Sequence, residues 1–188
     1  MVIGIFGKSG SGKSTLCKYL EEKGFCIIDG DKIGHTILKK GNKGYSAVIE
    51  AFGCEFLTEN KEIDRKRLGE YVFKNNMGDL LSKITHPIIT EHIAEKIKEA
   101  ELKKLNVAVD AALLCNTPVK DICDVLILIK SENCKERITK RDGITDDMAE
   151  SRLRNQNISE NADFIIENSG TIEELYEKTD EILKGLNI

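Results

Sequence analysis

The opening of this chain restricts its fold more than any other segment. Val2-Ile3-Gly4-Ile5-Phe6 leads directly into Gly7-Lys8-Ser9-Gly10-Ser11-Gly12-Lys13-Ser14. An apolar run without polar alternation reads as a strand buried on both faces. The octapeptide fits G-x-x-x-x-G-K-[ST], the phosphate-binding loop that joins a strand to a helix. Glycines let such a backbone wrap an anion with its N–H groups turned inward. A helix expected over about 13–23 aims its positive end at the same anion. Gly7, Lys8, Ser9, Gly10, Ser11, Gly12, Lys13, Ser14 and Thr15 are therefore expected to hold the phosphates of a nucleotide such as ATP. Lys13 is placed to reach the β- and γ-phosphates, and the Ser14 hydroxyl to ligate Mg²⁺. The plainer reading, a glycine-rich turn that binds nothing, does not explain the Lys-Ser pair between a strand and a helix.

The rest of the chain repeats the strand–helix theme. Apolar runs at 25–29, 107–110, 125–129 and 164–166 read as four more buried strands. Between them the apolar residues recur at helical spacing, as in Ile89, Ile93, Ile97 and Ala100. The last helix places Ile172, Leu175, Tyr176, Ile182, Leu183 and Leu186 on one stripe. It opens on a T-x-x-E capping box, Thr171 and Glu174. This order predicts an open α/β fold with a five-stranded parallel sheet. Two stretches break the alternation. From Asp31 to about Pro87 there are helical patterns and no central strand, which predicts a helical insertion after the second strand. Residues 137–161 are polar and helical and carry Arg137, Arg141, Arg152 and Arg154. They read either as a mobile cover over phosphates or as a solvated helix pair.

Composition excludes several classes. The 188 residues suit one core with modest insertions, and 40% hydrophobic with 32% charged residues suits a packed domain. No apolar run approaches the roughly 20 residues of a membrane span, and no signal peptide precedes the first strand. A net charge of −4 argues against a surface that tracks nucleic acid. The six cysteines form no C-x-x-C pair, which fits reduced thiols and a cytoplasmic location. His35, His86 and His92 have no metal-site spacing, and His86-Pro87 reads as a helix start with proline in its first turn. A switch GTPase is excluded because the guanine-reading N-K-x-D is missing; Asn42-Lys43-Gly44-Tyr45 ends on the wrong residue.

Ligands of open α/β sheets sit beyond the carboxyl ends of the strands, so chain positions there are the site candidates. Asp31, just past the second strand, is the candidate general base for a hydroxyl attacking the γ-phosphate. It also suits the N-cap of a helix starting near Lys32. Asp29 is the weaker candidate. Asp110 ends the third strand, where it either holds Mg²⁺ through water or bonds to loop N–H groups. Arg141, followed by the turn signal Asp142-Gly143, and Arg137 one helical turn earlier are candidates to neutralise charge on a transferred phosphoryl group.

Taken together these motifs resemble the dephospho-CoA kinase family over nearly the whole length. The resemblance rests on Gly7–Ser14; Ile28-Asp29-Gly30-Asp31; Arg65-Lys66-Arg67-Leu68 with Val72-Phe73; and Ile84-Thr85-His86-Pro87-Ile88-Ile89. It continues through Asp110-Ala111-Ala112-Leu113-Leu114; Lys140-Arg141-Asp142-Gly143 with Arg152 and Gln156; and Ala162-Asp163-Phe164 on to Asn168-Ser169-Gly170. It implies a three-layer P-loop kinase core at 1–31, 88–136 and 162–188, a helical acceptor-binding insertion at 32–87 and a helical lid at 137–161. It implies transfer of the ATP γ-phosphoryl group to the ribose 3′-hydroxyl of dephospho-CoA, with Asp31 as base, Lys13 and Arg141 at the transferred group, and Mg²⁺ as cofactor. The expected partner is this small-molecule acceptor, with no nucleic acid or membrane. Asn168 falls in the segment that lies near adenine in related kinases; it also reads as a plain turn before the last helix. The chain departs from the family at Phe6, where threonine is usual, and at Ala112 and Asn116, where proline and glutamate are usual. Another small-molecule kinase, such as a nucleoside monophosphate (cytidylate) kinase, and a weakly catalytic ATP-binding regulator are the alternatives.

Overall fold

The computed structural model describes residues 1–112, 114–156 and 158–188. Leu113, inside the motif that begins at Asp110, and Asn157 lie outside the described residues. The chain divides into two compact units, Met1–Asp29 with Ile97–Ile188, and Gly30–Lys96.

The first unit contains β1 (Val2–Phe6), α1 (Lys13–Glu22) and β2 (Cys26–Asp29). Later in the chain it contains β3 (Val107–Asp110), β4 (Val125–Lys130), α6 (Cys134–Asp142), α7 (Asp146–Arg154), β5 (Phe164–Glu167) and α8 (Ile172–Gly185). The five strands form one sheet in the order β2-β3-β1-β4-β5, and every pairing is parallel. The α/β expectation is met, and the strands fall within two residues of the apolar runs. The side chains of β1 alternate across the sheet, as pleating requires. Ile3 and Ile5 join a cluster with Leu16 and Leu20 of α1 and Leu175 and Leu183 of α8. Gly4 faces the other way, where any Cβ would stand 2.8 Å from Leu126 and 2.9 Å from the Cys123 sulfur. Because β3 and β4 lie on either side of β1, the chain leaving β1 emerges at the switch point of the sheet.

The stripe expected on α8 needs one correction. Ile172 is 54% exposed, while Thr179 is fully buried and donates its hydroxyl to the Leu175 carbonyl at 2.7 Å. Satisfying its hydroxyl on the helix's own backbone lets threonine take a core position. The capping box forms as expected, with Thr171 accepting from the Glu174 N–H.

The second unit holds α2 (Gly30–Ile37), α3 (Lys43–Phe52), α4 (Arg65–Lys74) and most of α5 (Gly78–Leu102). Val48, Phe52, Phe56, Ile63, Leu68 and Val72 make its core. Asp64 caps α4 by accepting from the Arg67 N–H. Two expectations fail in this unit. Asp31 does not precede its helix; it lies within the first turn of α2, where a carboxylate still meets the positive helix end. His86-Pro87 does not start a helix, because Pro87 lies inside α5. Proline removes one N–H and collides with the preceding turn, but here the ring is exposed. The carbonyl left without its N–H partner is that of Lys83, which is exposed as well, so solvent can serve it.

Candidate functional site

The loop from Gly7 to Lys13 joins β1 to α1, and its conformation depends on glycine. Gly12 has φ +108°, and a Cβ there would collide with the Asn168 amide. Gly7 stands so close to the Ile129 carbonyl that no side chain fits. Both features press the loop against the ends of β4 and β5.

Four of the loop's carbonyls accept hydrogen bonds, two from the loop itself and two from residues far along the chain. Lys13 Nζ donates to the Gly7 carbonyl at 3.0 Å. The Ser11 N–H donates to the Lys8 carbonyl at 3.1 Å. Arg137 Nη1 donates to the Gly10 carbonyl at 3.4 Å, and Asn168 Nδ2 to the Ser11 carbonyl at 2.7 Å. Two of the loop's own donors are engaged as well, the Ser9 N–H by Gln156 and the Ser11 N–H by the Lys8 carbonyl, so a phosphate cradle here draws on the loop's other N–H groups and on Lys13. Ser9 is held differently: its N–H donates to Gln156 Oε1 at 2.8 Å, and Gln156 Nε2 donates to its hydroxyl at 2.9 Å. Among the described residues the Ser11 hydroxyl is buried without a partner. Ser11 lines a cavity of about 270 Å³ with Lys8, Lys130, Ser131 and Cys134.

Asp29 and Asp110 stand opposite each other in the β2–β3 register, and Asp110 opposite Ile5 of β1. The Cys17 thiol of α1 sits beside them. Burial first, then the Asp110 carboxylate to which it is hydrogen-bonded, push its pKa far up, with Lys13 opposing. Cys17 is thus an inert packed thiol, and all six cysteines are free. Ser14 is exposed at the start of α1. Among the described residues no group of three His, Cys, Asp or Glu side chains could hold a metal ion. A Mg²⁺ that shares phosphates, waters and one or two protein oxygens needs no such group.

Arg137 and Arg141 share α6 but not a task. Arg137 reaches the phosphate loop. Arg141 grips Asp142 with both arms of its guanidinium, at 2.7 and 2.9 Å, and Arg152 of α7 reaches the same carboxylate at 2.8 Å. The hydrogen bond from Arg141, then the charge of Arg152, hold the Asp142 carboxyl below the usual range. Lys135 adds links from α6 to Asp146 and Glu150 of α7. Thr15 is half-buried in the first turn of α1, its N–H donating to the Gly12 carbonyl at 3.0 Å.

Within the second unit, Asp31 is exposed on α2. The same helix and its exit contribute Lys32, His35 and Lys39 to a concavity of about 440 Å³, completed by Glu62, Ile63 and Arg65. Three of these side chains are cationic, which suits a polyanionic ligand.

Sequence patterns singled out Gln156 only as a member of a motif set, and Asn168 as a nucleotide-binding candidate in a segment expected near adenine. Nothing local indicates that they hold Ser11 and Ser9, residues 157 and 147 positions away. A buried carbonyl in a phosphate loop does demand some donor, but that demand does not name the residue.

Known proteins resemble this chain over nearly its whole length. The family model described as dephospho-CoA kinase matches residues 1–174. A dephospho-CoA kinase of Carboxydothermus hydrogenoformans is 38% identical, over 97% of this chain and 93% of its own length. One of Fusobacterium nucleatum is 37% identical, over 99% and 98%. The solved dephospho-CoA kinase of Campylobacter jejuni superposes with a TM-score of 0.70 at 29% identity, over 100% of this chain and 98% of that one. A thymidylate kinase of Candida albicans, at TM-score 0.57 and 14% identity over 99% and 92%, shares the fold alone. The nucleoside monophosphate kinase alternative is therefore not favoured. By this match over nearly its whole length, the chain belongs to the dephospho-CoA kinase family, a family of ATP-dependent phosphotransferases.

Proposed function

We propose that this protein phosphorylates the ribose 3′-hydroxyl of dephospho-CoA with ATP, giving coenzyme A and ADP in the cytoplasm. The observation that carries the reading is the phosphate loop, whose carbonyls at Gly7, Lys8, Gly10 and Ser11 all accept hydrogen bonds that hold its shape. A loop held in one shape by these bonds favours catalysis by positioning and electrostatics, and an incoming triphosphate takes Lys13 Nζ over from the Gly7 carbonyl. In the proposed reaction the acceptor oxygen bonds to the γ-phosphorus while the bond to the β,γ-bridging oxygen breaks. Asp31, two residues beyond the end of β2, takes the hydroxyl proton. Lys13 neutralises charge on the β- and γ-phosphates, and Arg141 does so on the transferred group. Arg137 and Asn168 hold the nucleotide-binding loop in shape. The Ser14 hydroxyl and, through water, the Asp110 carboxylate suit Mg²⁺, a hard cation that seeks oxygen. When bound, Mg²⁺ neutralises phosphate charge and orients the chain of phosphates. Residues 32–87 form the acceptor-binding part. The cationic concavity of Lys32, Lys39 and Arg65 supports this, since dephospho-CoA carries a diphosphate. Residues 137–161 form the lid, and the remainder the nucleotide core. No helix among the described residues is long and apolar enough to cross a membrane.

The test is to supply Mg-ATP with dephospho-CoA, with CMP, with other nucleotides and with no acceptor. The expected result is product with dephospho-CoA alone. Product only with CMP, or tight ATP binding with transfer to no acceptor, overturns the proposal.

A further inference from the structure

We infer that Gln156 is a positioning residue that couples ATP binding to the placement of α6 and α7. The inference rests on the lid reading of residues 137–161.

The clasp between Gln156 and Ser9 is reciprocal. The amide oxygen accepts from the Ser9 N–H and the amide nitrogen donates to the Ser9 hydroxyl. Rotating the amide by half a turn would set N–H against N–H, so the geometry admits one orientation. Ser9 is 9% exposed, and bonds shielded from water are costly to leave unmade. Ser9 is also the third residue of the loop, between Lys8, whose carbonyl accepts from Ser11, and Gly10, whose carbonyl accepts from Arg137.

Gln156 is bound to α7 as well, because its N–H donates to the Leu153 carbonyl at 3.3 Å. Any displacement of the end of α7 therefore strains the clasp. Arg137 ties the other end of the same helical pair to the loop. The segment is thus pinned to the phosphate loop at both ends. The loop shape that receives phosphates is the one the pinned helices require, and such linkage is reciprocal. ATP holds the helices in place, and the helices hold the loop ready for ATP.

The test uses the full chain without acceptor. ATP affinity is measured by calorimetry for wild type, Gln156→Ala, Gln156→Met, Ser9→Ala and the double variant Ser9→Ala/Gln156→Ala. Hydrogen exchange of residues 146–156 is followed with and without Mg-ATP. Gln156→Met keeps the volume and loses both bonds, so it serves if alanine impairs folding. Removal of the clasp should weaken ATP binding about tenfold and abolish the ATP-induced protection of 146–156. The double variant should bind ATP no more weakly than Gln156→Ala, because the two residues act as one pair. A lowered melting temperature with unchanged ATP affinity and intact protection would reduce Gln156 to a structural prop and overturn the inference, as would additive effects. Loss of the coupling in a protein that transfers phosphate to no acceptor would uphold the inference and remove the proposed activity.

Discussion

Replacing Asn168 should disable the phosphate loop from outside, without removing any group placed to touch a phosphate. Asn168 follows β5, is 6% exposed, and donates to the Ser11 carbonyl at 2.7 Å. Its amide also fills the space beside Gly12 where a side chain would stand. Alanine leaves a buried carbonyl without its donor, at about 1–3 kcal/mol. The vacated volume adds roughly 1 kcal/mol. A combined loss of about 3 kcal/mol corresponds to a fall in Tm of roughly 6–12 °C for a chain of this size. The functional effect follows from population. If the untied loop keeps its receptive shape in about a tenth of the molecules, ATP binds about tenfold more weakly. Asn168→Asp is the sharper variant. It sets a carboxylate oxygen against the carbonyl oxygen and adds negative charge beside the triphosphate, so it should bind ATP more weakly than the alanine variant. Calorimetric titration with Mg-ATP decides. An Asn168→Asp protein that binds ATP as tightly as wild type would refute the argument that this amide shapes the loop.

Three further outcomes are expected. Asp31→Asn should cut turnover by about 10²-fold or more, the usual worth of a general base, while calorimetric ATP affinity stays near wild type; near-normal turnover rejects the role. Arg141→Ala should lower kcat more than it raises KM for dephospho-CoA, and should let the Asp142 carboxyl titrate at higher pH, since Arg141 is the main cause of its lowered pKa; a carbon-13 NMR titration that does not move contradicts the pairing. Burial lowers the His86 pKa below 6.5, so the unfolded chain takes up this proton before the folded one. The stability this residue contributes is complete above about pH 6.5 and is lost as pH falls from there through the folded-state value. Urea midpoints should decline across that window, and His86→Gln should flatten the decline; an equal decline in both proteins assigns it elsewhere.

The five strands were legible because each is a short apolar run; β1 and β3 are covered on both faces, which leaves a continuous signal, whereas the edge strand β5 is apolar although its Ile165 is 46% exposed. The helix ends at Thr171 and Gly143 were legible for a local reason too: a side-chain cap and a left-handed C-cap residue close those turns. Where the local rule had an alternative solution, reading failed. Pro87 punctuates many chains, but with its ring exposed and the affected residue Lys83 exposed too it ends nothing. Thr179 is polar by composition and buried in fact, since its hydroxyl bonds within its own helix.

The amino-acid order alone determined that a phosphate-cradling turn stands between the first strand and first helix, because glycine conformations and apolar periodicity are properties of neighbouring residues. Which groups clamp that turn was decided only when β5 and the end of α7 were folded against it. A carbonyl needs a donor but has no preference for where in the chain the donor arises, so Asn168 and Gln156 acquired their partners from three-dimensional proximity alone.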